Sequence, residues 1–507
     1  MHVDKIICAV VISSLAVVLA STPCAQAEQP SDLAQDLAQV EQQFRTLPME
    51  ARRLTGPLFW LHGDESPQRL KTYLDKVAEG GNGCFTAESR PHIDWLGPGW
   101  YRDLKICLEA ARRLNLHMWI FDEKWWPSGE VGGEVPQQYG SKYMETTAED
   151  VTGPRKLRTD VPQGDKLIAV LAGTVADGRV DGQSLVDLTD QAAKGSLEWS
   201  IPAGKWKVMV FTWRYSEGRG GRLLVDGASQ KAVDWYIRTV YQPHYEHFPD
   251  AFGKTIRGYF YDEPETYGDW GTEVIPELKR RGVDWKRALV AWKFELANAD
   301  EQVAAKYQYQ DAFAEAWGRT LYGGLTDWCH DHDVLSIGHW LEHRREYLDP
   351  KKCAGNMFQV QKYSDMGGID AVFKQFVPGR KDDNTYQTPK LGSSISHAYG
   401  KKDDLAMVEI FGARGQDLGY PEMKWWTDHM HVSGINFHIP TLSIREARTI
   451  AIAHRTFTTA ATNLAGRCTA TRTTRRGSAC CFTVAGTCVP ESAIVLIYVD
   501  FLMPNLW

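Results

Sequence analysis

The sequence predicts an α/β protein built as a (β/α)8 TIM-like barrel with a small all-β insertion after the third βα unit. Short apolar runs alternate with amphipathic stretches along most of the chain, which is typical of βα units around a parallel sheet. The alternation is interrupted once, by polar and apolar residues that alternate between Gly, Asp and Pro turns. The 507 residues can hold one barrel and an insertion, because such barrels often reach about 250 residues or more as one unit.

Eight apolar runs are predicted to be the strands of the barrel. They cover residues 57–62, 82–88, 116–122, 256–261, 334–340, 358–361, 406–411 and 434–439. The helices predicted around them cover residues 31–53, 66–80, 100–114, 231–247 and 301–330. Inside the insertion, residues 166–171, 196–201 and 206–212 have the two-residue period of half-buried strands. This order places residues 262–265 at the end of the fourth strand and Glu409 on the seventh.

The changes of pattern divide the chain into five segments. They are a signal peptide (1–27), the first part of the barrel (28–150), the β-rich insertion (151–221), the rest of the barrel (222–440) and an aberrant tail (441–507). The first segment has Lys5, an apolar run and the small-x-small sequence Ala25-Gln26-Ala27, which predict export and cleavage after Ala27. The run is too short to span a bilayer comfortably. We therefore expect a periplasmic or secreted protein with no membrane partner after signal removal.

Composition narrows the class of partner. The net charge is −7 and no long basic block is present, so the electrostatic footprint of a nucleic-acid partner is missing. The 19 Trp and 20 Tyr residues offer flat apolar faces that suit sugar rings, although core packing accounts for part of them. We expect a carbohydrate partner and no organic cofactor. Outside the first and last segments, Cys84, Cys107, Cys329 and Cys353 allow at most two disulfides or remain buried free thiols.

Acidic residues follow several predicted strands. In a (β/α)8 barrel the catalytic groups lie at the C-terminal ends of the strands. The acidic residues at these positions are Glu88, Asp122, Asp262, Glu263, Glu265, Glu342 and Glu409. Cleavage of a glycosidic bond needs one carboxylic acid to protonate the leaving oxygen and one carboxylate to activate water or attack the anomeric carbon. Glu265 and Glu409 are predicted as this pair because the fourth and seventh strands face each other across the barrel.

Other polar and aromatic residues at strand ends are predicted to bind substrate. They are His92, His339 and His438, together with Trp125 and the acidic residues Glu88, Asp122, Asp262, Glu263 and Glu342. The histidines either hydrogen-bond sugar hydroxyls or hold carboxylates. No HExxH spacing of a metal-dependent hydrolase is present in the sequence, and the identity of any metal ligands stays open.

Several motifs resemble one known family. The motifs are Pro57-Leu-Phe-Trp-Leu-His-Gly63, Gly83-Cys-Phe-Thr-Ala-Glu-Ser-Arg90, Trp119-Ile-Phe-Asp-Glu-Lys-Trp-Trp126, Asp262-Glu-Pro-Glu265 with the following Trp270, and Val408-Glu-Ile-Phe411. They are similar to the catalytic barrel of glycoside hydrolase family 106. So is the segment at 434–440. The resemblance covers about residues 50–440. It implies an inverting α-L-rhamnosidase with a calcium-linked site and further β-sandwich domains.

Motif by motif, the resemblance assigns the catalytic pair. It places Glu265 after the fourth strand and Glu409 on the seventh, with Glu263 as a rival for the first position. An inverting mechanism implies carboxyl groups roughly 6.5–9.5 Å apart, which leaves room for a water molecule. The resemblance does not identify the calcium ligands.

The segment after Pro440 loses the βα pattern and becomes rich in Thr, Ala, Arg and Cys. Read two bases later, codons compatible with residues from 442 onward can encode an aromatic sequence marked by Gly and Pro, like that of the barrel. We therefore expect residues 441–507 to be an out-of-frame translation. A divergent C-terminus is the alternative, and sequencing of the gene distinguishes the two.

Two other functions remain open from the sequence. One is a catalytically inactive relative that binds carbohydrate, which would bind rhamnosides without releasing sugar. The other is a metal-dependent hydrolase of another bond type, in which histidines converge on a metal ion.

Overall fold

The computed structural model describes residues 42, 46–162, 164–192, 194–216, 218–340, 349–373, 375–376, 384–413 and 418–441. The strands are β1 (Leu58–Leu61), β2 (Cys84–Ser89), β3 (His117–Phe121), β4 (Lys142–Asp160), β5 (Leu167–Ala176), β6 (Arg179–Val180), β7 (Val186–Asp187), β8 (Ser196–Tyr215), β9 (Ile256–Asp262), β10 (Leu335–His339), β11 (Gly367–Ala371), β12 (Ala406–Ile410) and β13 (Phe437–Pro440). The helices are α1 (Met49–Arg52), α2 (Pro67–Glu79), α3 (Pro98–Leu114), α4 (Thr189–Ala192), α5 (Gln230–Tyr236), α6 (Gln242–His247), α7 (Val274–Arg280), α8 (Trp285–Lys293), α9 (Ala299–Trp317), α10 (Gly324–Asp331), α11 (Pro350–Cys353), α12 (Met357–Gln361), α13 (Thr388–Ala398) and α14 (Tyr420–Val432). The alternation of strands and helices confirms the predicted α/β class.

Eight of these strands form two parallel sheets. The order in the first sheet is β1-β2-β3-β9-β10, and the order in the second is β11-β12-β13. Isolated parallel bridges join Thr55 to His438 and Leu58 to Thr441, so β13 lies beside β1. Strands β2, β11, β12 and β13 are buried along their whole length, as expected of parallel strands covered on both faces.

One buried side chain joins the two sheets between β10 and β11. The side-chain amide Nε2 of Gln361 donates to the carbonyl oxygens of Gly368 (2.9 Å) and Gly338 (3.4 Å), and its Oε1 accepts from Gly368 N (3.2 Å). The strands approach closely, because a Cβ on Gly368 would lie only 1.8 Å from the carbonyl oxygen of Gly338. Gln361 therefore supplies hydrogen bonds to backbone groups at the boundary between the sheets.

The β-rich segment lies between β3 and β9. β4 and β8 pair antiparallel from Lys142 and Tyr215 to Asp160 and Ser196, with an irregularity in the register at Gly153. β5 adds to β8, and β6 and β7 pair with β5. The buried face has its own apolar core. That core contains Val151, Leu157, Val161, Val170, Ala172, Leu188, Ala192, Leu197, Ile201, Trp206 and Val208.

Seven of the eight strands of the parallel sheets lie where the sequence predicts them, and the sixth does not. Residues 358–361, predicted as a strand, belong to α12, and the strand is Gly367–Ala371. The Asn356 side chain caps α12 by accepting a hydrogen bond from Gln359 N (3.2 Å). A short apolar run fits either a helix or a strand, and here the cap favours the helix.

The predicted helices 231–247 and 301–330 each contain a π-helical turn. The turns are Ile237–Tyr241 and Gly318–Gly323. Such turns insert residues into an α-helix without ending it. Among the described residues, no helix combines the length and the apolar character that crossing a membrane requires.

A second apolar core lies between the strands of the two parallel sheets. It is formed by Leu58, Cys84, Trp119, Phe121, Phe260, Ile337, Met366, Met407, Phe437 and Ile439. Cys84, Cys107 and Cys329 are buried free thiols, and Cys353 is buried as well. For the first three, the structure selects the free thiol over the disulfide.

Candidate active site

Strand register brings charged side chains together at the C-terminal ends of the parallel strands. Asp262, the last residue of β9, pairs in register with His339, the last residue of β10. Asp370 of β11 pairs in register with Glu409 of β12. Residues paired in this way point to the same face of a parallel sheet. The four side chains are buried, with 1–5% of each residue exposed.

His339 lies among the carboxylates. Its Nε2 is 3.0 Å from Oε2 of Glu409 and 3.5 Å from Oδ1 of Asp262. A ring nitrogen of His339 and one carboxylate oxygen each of Glu263 and Asp370 also lie within 4.8 Å of one another. The hydroxyl of Thr441 donates to Oε1 of Glu409 (2.6 Å). The structure thus gives His339 the second of its two predicted roles, that of holding carboxylates.

The environment separates the pKa values of the two carboxyl groups beside His339. Burial, followed by the negative charge of Glu409, raises the pKa of Asp262 well above its ordinary value. Burial alone would also raise the pKa of Glu409, but the hydrogen bond from His339 and its charge outweigh burial and lower that pKa. Asp262 therefore holds a proton more tightly than Glu409 does, and acid–base chemistry requires such a difference between two carboxyl groups.

The charge of His339 follows from the same contacts. Burial alone would lower the pKa of His339, but the hydrogen bond to Glu409 and the charges of Asp370 and Asp262 outweigh it and raise that pKa well above its ordinary value. The imidazole is thus a cation that donates a proton in its hydrogen bond to Glu409. Together these residues form what we call the His339 cluster: Asp262, Glu263, His339, Asp370 and Glu409.

Glu88 lies at the end of β2 beside Arg90. Nη1 of Arg90 is 2.9 Å from Oε1 of Glu88 and 4.0 Å from Oδ2 of Asp262. Burial raises the pKa of Glu88 to about 8, although the Arg90 charge opposes this shift. The Arg90 guanidinium lies over the Trp60 ring, 5.4 Å from its centroid. A cation therefore adjoins the His339 cluster.

The two glutamates after β9 have different surroundings. Glu263 has a positive φ of 44°, a conformation that is uncommon outside glycine and is often found at functional sites. It accepts a hydrogen bond from Trp126 Nε1 and belongs to the His339 cluster. Glu265 is also buried, but it pairs with Lys352 of α11. Of the predicted catalytic pair, Glu409 lies in the cluster and Glu265 beside Lys352.

Asp122, predicted to bind substrate, is held by protein groups. Its carboxylate accepts hydrogen bonds from Ser128 Oγ (2.6 Å), Tyr236 Oη (3.0 Å) and Tyr241 Oη (2.8 Å). Burial raises its pKa to about 6 against these hydrogen bonds. These hydrogen bonds anchor the segment after β3 to α5, and the role of Asp122 in substrate binding stays a prediction.

The segment after β3 is organised by a second buried carboxylate, Glu123. It accepts four hydrogen bonds of 2.7–3.0 Å from backbone N–H groups in that segment. Trp125, predicted as a substrate-binding residue, is half-buried there and donates through Nε1 to Glu130 (3.0 Å). Lys124 Nζ and Arg222 Cζ lie 5.3 and 5.5 Å from its ring centroid. The ring therefore lies between cationic groups beside the site.

His92 is bonded entirely within the protein. Its Nε2 lies 3.1 Å from Asp103 Oδ2, and its Nδ1 accepts from Asp94 N (3.0 Å). Both ring nitrogens have partners in the structure. In the structure His92 fixes the segment between β2 and α3, and its role in substrate binding stays a prediction.

His438 faces away from the His339 cluster. Its neighbours in β13, Phe437 and Ile439, belong to the apolar core between the strands, and alternate residues of a strand point to opposite faces. The His438 ring lies 4.6 Å, centroid to centroid, from His431 of α14. The strand turns the His438 side chain toward the helix, and its role in substrate binding stays a prediction.

The His431–His438 pair predicts an acid-sensitive fold. Burial lowers the pKa of His431 from 6.5 to about 4 and that of His438 well below 6.5. As the pH falls from 6.5 toward 4, these histidines take up protons in the unfolded chain but not in the native state, so the free energy of unfolding decreases. We expect His431 alone to account for on the order of 3 kcal/mol of this loss.

The measurement is urea unfolding at several pH values between about 7 and 4.5 for the wild type and His431→Phe. The free energy of unfolding should fall less steeply with acid in the variant. The exposed His247→Phe is the control and should follow the wild type. Equal slopes for the wild type and His431→Phe would refute the assignment.

Sequence reasoning did not identify Arg90, Asp370 and Thr441 as site residues. Arg90 could have been found, because it follows Glu88 by two residues at a predicted strand end. Asp370 was missed because its strand was placed at residues 358–361. Thr441 was missed because it begins the predicted out-of-frame segment, yet its N–H donates to Ile410 O (2.8 Å). Glu342, the predicted signal peptide and residues 442–507 lie outside the described residues.

Comparison with known proteins relates this site to a family. The family model of glycoside hydrolase family 106, described as alpha-L-rhamnosidase, matches residues 165–449, more than half of the 507 residues. The fold is similar to that of a rhamnosidase from Novosphingobium sp. PP1Y, with a TM-score of 0.67 and 16% identity over 84% of this chain. The chain spans 60% of that protein's length.

A second solved structure has a more distant likeness. It is a beta-galactosidase from the Antarctic haloarchaeon Halorubrum lacusprofundi, with a TM-score of 0.41 and 11% identity over 80% of this chain and 57% of that one. No curated protein sequence matches the chain.

Proposed function

Because the chain belongs to glycoside hydrolase family 106, we propose that it is an exported, inverting α-L-rhamnosidase that cleaves terminal rhamnose from a polysaccharide or glycoconjugate. The observation that carries the proposal is the environment of Glu409, a buried carboxyl group that accepts hydrogen bonds from His339 and Thr441. These contacts lower the pKa of Glu409, while burial and the charge of Glu409 raise the pKa of Asp262 beside it. A base of this kind can take a proton from water. The residues that support export lie outside the described part of the chain.

We propose further that the eight parallel strands close into a (β/α)8 barrel. The bridges between the ends of the two sheets at β1 and β13 support closure on one side, and the Gln361 hydrogen bonds support it on the other. The apolar core includes side chains from both sheets. Closure would place all strand ends around one mouth, where this fold class carries its active sites.

The catalytic acid has to lie farther from Glu409 than Asp262 does. One carboxylate oxygen of Asp262 and one of Glu409 lie within 4.8 Å of each other. The two carboxyl groups of an inverting enzyme are about 6.5–9.5 Å apart, which leaves room for the water. Glu265, three residues past Asp262, is the proposed acid, as the family resemblance implies. It is buried, with 2% of the residue exposed.

The proposed reaction is a single displacement. Glu265, which pairs with Lys352 in the structure, first has to take up a proton. It then gives this proton to the glycosidic oxygen as the bond from that oxygen to the anomeric carbon breaks. Glu409 takes a proton from the water molecule whose oxygen forms the new bond to the same carbon. The imidazolium of His339 keeps Glu409 oriented, and the products are rhamnose of inverted configuration and the free alcohol.

Calcium, expected from the family resemblance, fits part of the His339 cluster. Calcium takes oxygen ligands, and Glu263 and Asp370 each offer a carboxylate oxygen, the two within 4.8 Å of each other. These two residues would hold the ion. When bound, it would supply a Lewis acid that anchors sugar hydroxyls. The positive charge of His339 would repel a calcium ion, so the residues next to His339, Asp262 and Glu409, are not proposed as ligands.

The proposed function is tested by incubation of the protein with an aryl α-L-rhamnoside. The expected result is release of rhamnose, with the β anomer forming first as followed by NMR. Release of the α anomer first would contradict inversion. Binding of the rhamnoside without release would favour an inactive carbohydrate-binding relative and overturn the proposed activity.

The role of Glu265 is tested with two leaving groups. An acid is needed only when the leaving oxygen is basic, so Glu265→Gln should lose about 10²–10⁴-fold in kcat on a methyl rhamnoside and far less on a dinitrophenyl rhamnoside. Glu263→Gln is the matched variant, and as a calcium ligand it should lose activity equally on both substrates. The reverse pattern would make Glu263 the acid.

A further inference from the structure

Arg90 occupies a position between the ends of β2 and β9 that the proposed reaction does not use. Its backbone N–H donates to Leu61 O (3.1 Å), which fixes the residue just past the strand. Its guanidinium lies over the Trp60 ring at 5.4 Å, 2.9 Å from Glu88 and 4.0 Å from Asp262. The backbone hydrogen bond to Leu61, the Trp60 ring and the two carboxyl groups hold the guanidinium in one place.

This guanidinium reaches the surface while its partner does not. The Arg90 side chain is 29% exposed, and the Glu88 side chain is 0% exposed. Trp60 and Glu88 are register partners on β1 and β2, so they support Arg90 from neighbouring strands. Arg90 therefore separates Glu88 from the solvent at the strand ends.

The ion pair with Glu88 uses only part of the Arg90 guanidinium. Arg90 Nη1 is buried and lies 2.9 Å from Glu88 Oε1. An arginine has five N–H donors, and the Arg90 side chain is 29% exposed. The exposed part of the guanidinium can therefore donate to a ligand with closely spaced hydroxyl groups.

We propose that Arg90 binds adjacent hydroxyl groups of the sugar at the cleavage site, with Glu88 and Trp60 as positioning residues. The inference rests on the proposed function and specifies which residue binds the hydroxyl groups of the sugar. Arginine presents a rigid fork of donors that matches two neighbouring acceptors, and hydroxyl oxygens accept such bonds. A metal ion is disfavoured at this position, since the guanidinium is a permanent cation.

The test compares Arg90→Met with the wild type on an aryl α-L-rhamnoside and on its 2-, 3- and 4-deoxy analogues. Loss of hydrogen bonds from a charged donor should lower kcat/KM on the parent about 10- to 100-fold, mainly through KM. On at least one deoxy analogue the loss of kcat/KM caused by Arg90→Met should be about tenfold smaller than on the parent, because the hydroxyl that Arg90 would bind is already absent. Arg90→Lys should recover part of the loss.

An equal loss on the parent and all three analogues, or no loss, would overturn the inference. The surface variant Arg113→Met, which affects an exposed ion pair with Asp75, is the control and should behave as the wild type. A general structural effect of Arg90→Met would appear in near-ultraviolet circular dichroism. In that case the comparison is made with Arg90→Lys, which should still lose less on one analogue than on the parent.

Direct binding separates this inference from the proposed function. Calorimetry with free L-rhamnose, on the wild type and on Arg90→Met, requires no catalysis. Weaker binding in the variant by about tenfold or more supports the role of Arg90 even if the wild type releases no rhamnose. Equal affinity refutes that role even if the wild type is an active rhamnosidase.

Discussion

Replacement of Glu409 by Gln is expected to lower kcat on an aryl α-L-rhamnoside by about 10³-fold while the fold is retained. A glutamine amide cannot take a proton from water, yet it keeps the shape of the side chain and an oxygen that can accept from His339. The hydrogen bond that now holds Oε2 of Glu409 at 3.0 Å from His339 can therefore persist. The loss should appear in kcat more than in KM, because the step removed is chemical.

The measurement is a set of initial rates over a range of substrate concentrations, with circular dichroism of the same preparations. Glu109→Gln is a matched control, because this glutamate is exposed on α3 and lies outside the His339 cluster. The control should keep the activity of the wild type. If Glu409→Gln retains about a tenth of kcat or more, Glu409 is not the base.

Replacement of Gln361 by Ala is expected to lower the free energy of unfolding by about 3–5 kcal/mol. Gln361 is fully buried and bonds to backbone groups of Gly338 and Gly368 on either side of the boundary between the sheets. Each buried backbone group that loses its partner costs about 1–3 kcal/mol. The cavity left by the side chain adds to this cost.

The same change should disturb the active site, because His339 and Asp370 follow Gly338 and Gly368 by one and two residues. We expect the midpoint of urea unfolding to fall and kcat to fall with it. The exposed Gln68→Ala on α2 is the control. An unchanged midpoint in Gln361→Ala would show that the two sheets are held together without this amide.

The α/β class and most strand positions could be predicted from the sequence. Apolar runs of four to seven residues in β1, β3, β9, β10 and β12 carry the hydrophobic pattern of a buried parallel sheet, and that pattern is a local property. β11 could not be predicted in the same way. Its sequence Gly-Gly-Ile-Asp-Ala has little apolar character, and the close approach of Gly368 to Gly338 depends on tertiary packing.

The residues of the candidate site were only partly predictable for a related reason. Glu88, Asp262, Glu263, His339 and Glu409 are found at strand ends by counting along the chain. Whether such a residue faces the site depends on the register and on the partners that its side chain meets. His92 and His438 satisfy the same local rule, yet Asp103 binds one and α14 covers the other.

Local pattern and motif in the sequence define most of the parallel strands, the acidic residues that follow them and the family that they resemble. The packing of the fold places His339 among Asp262, Asp370 and Glu409 and pairs Glu265 with Lys352. These contacts join residues far apart in the chain, and the burial that they share sets the charge of each group. No local pattern records that burial, because it arises from packing of the whole fold.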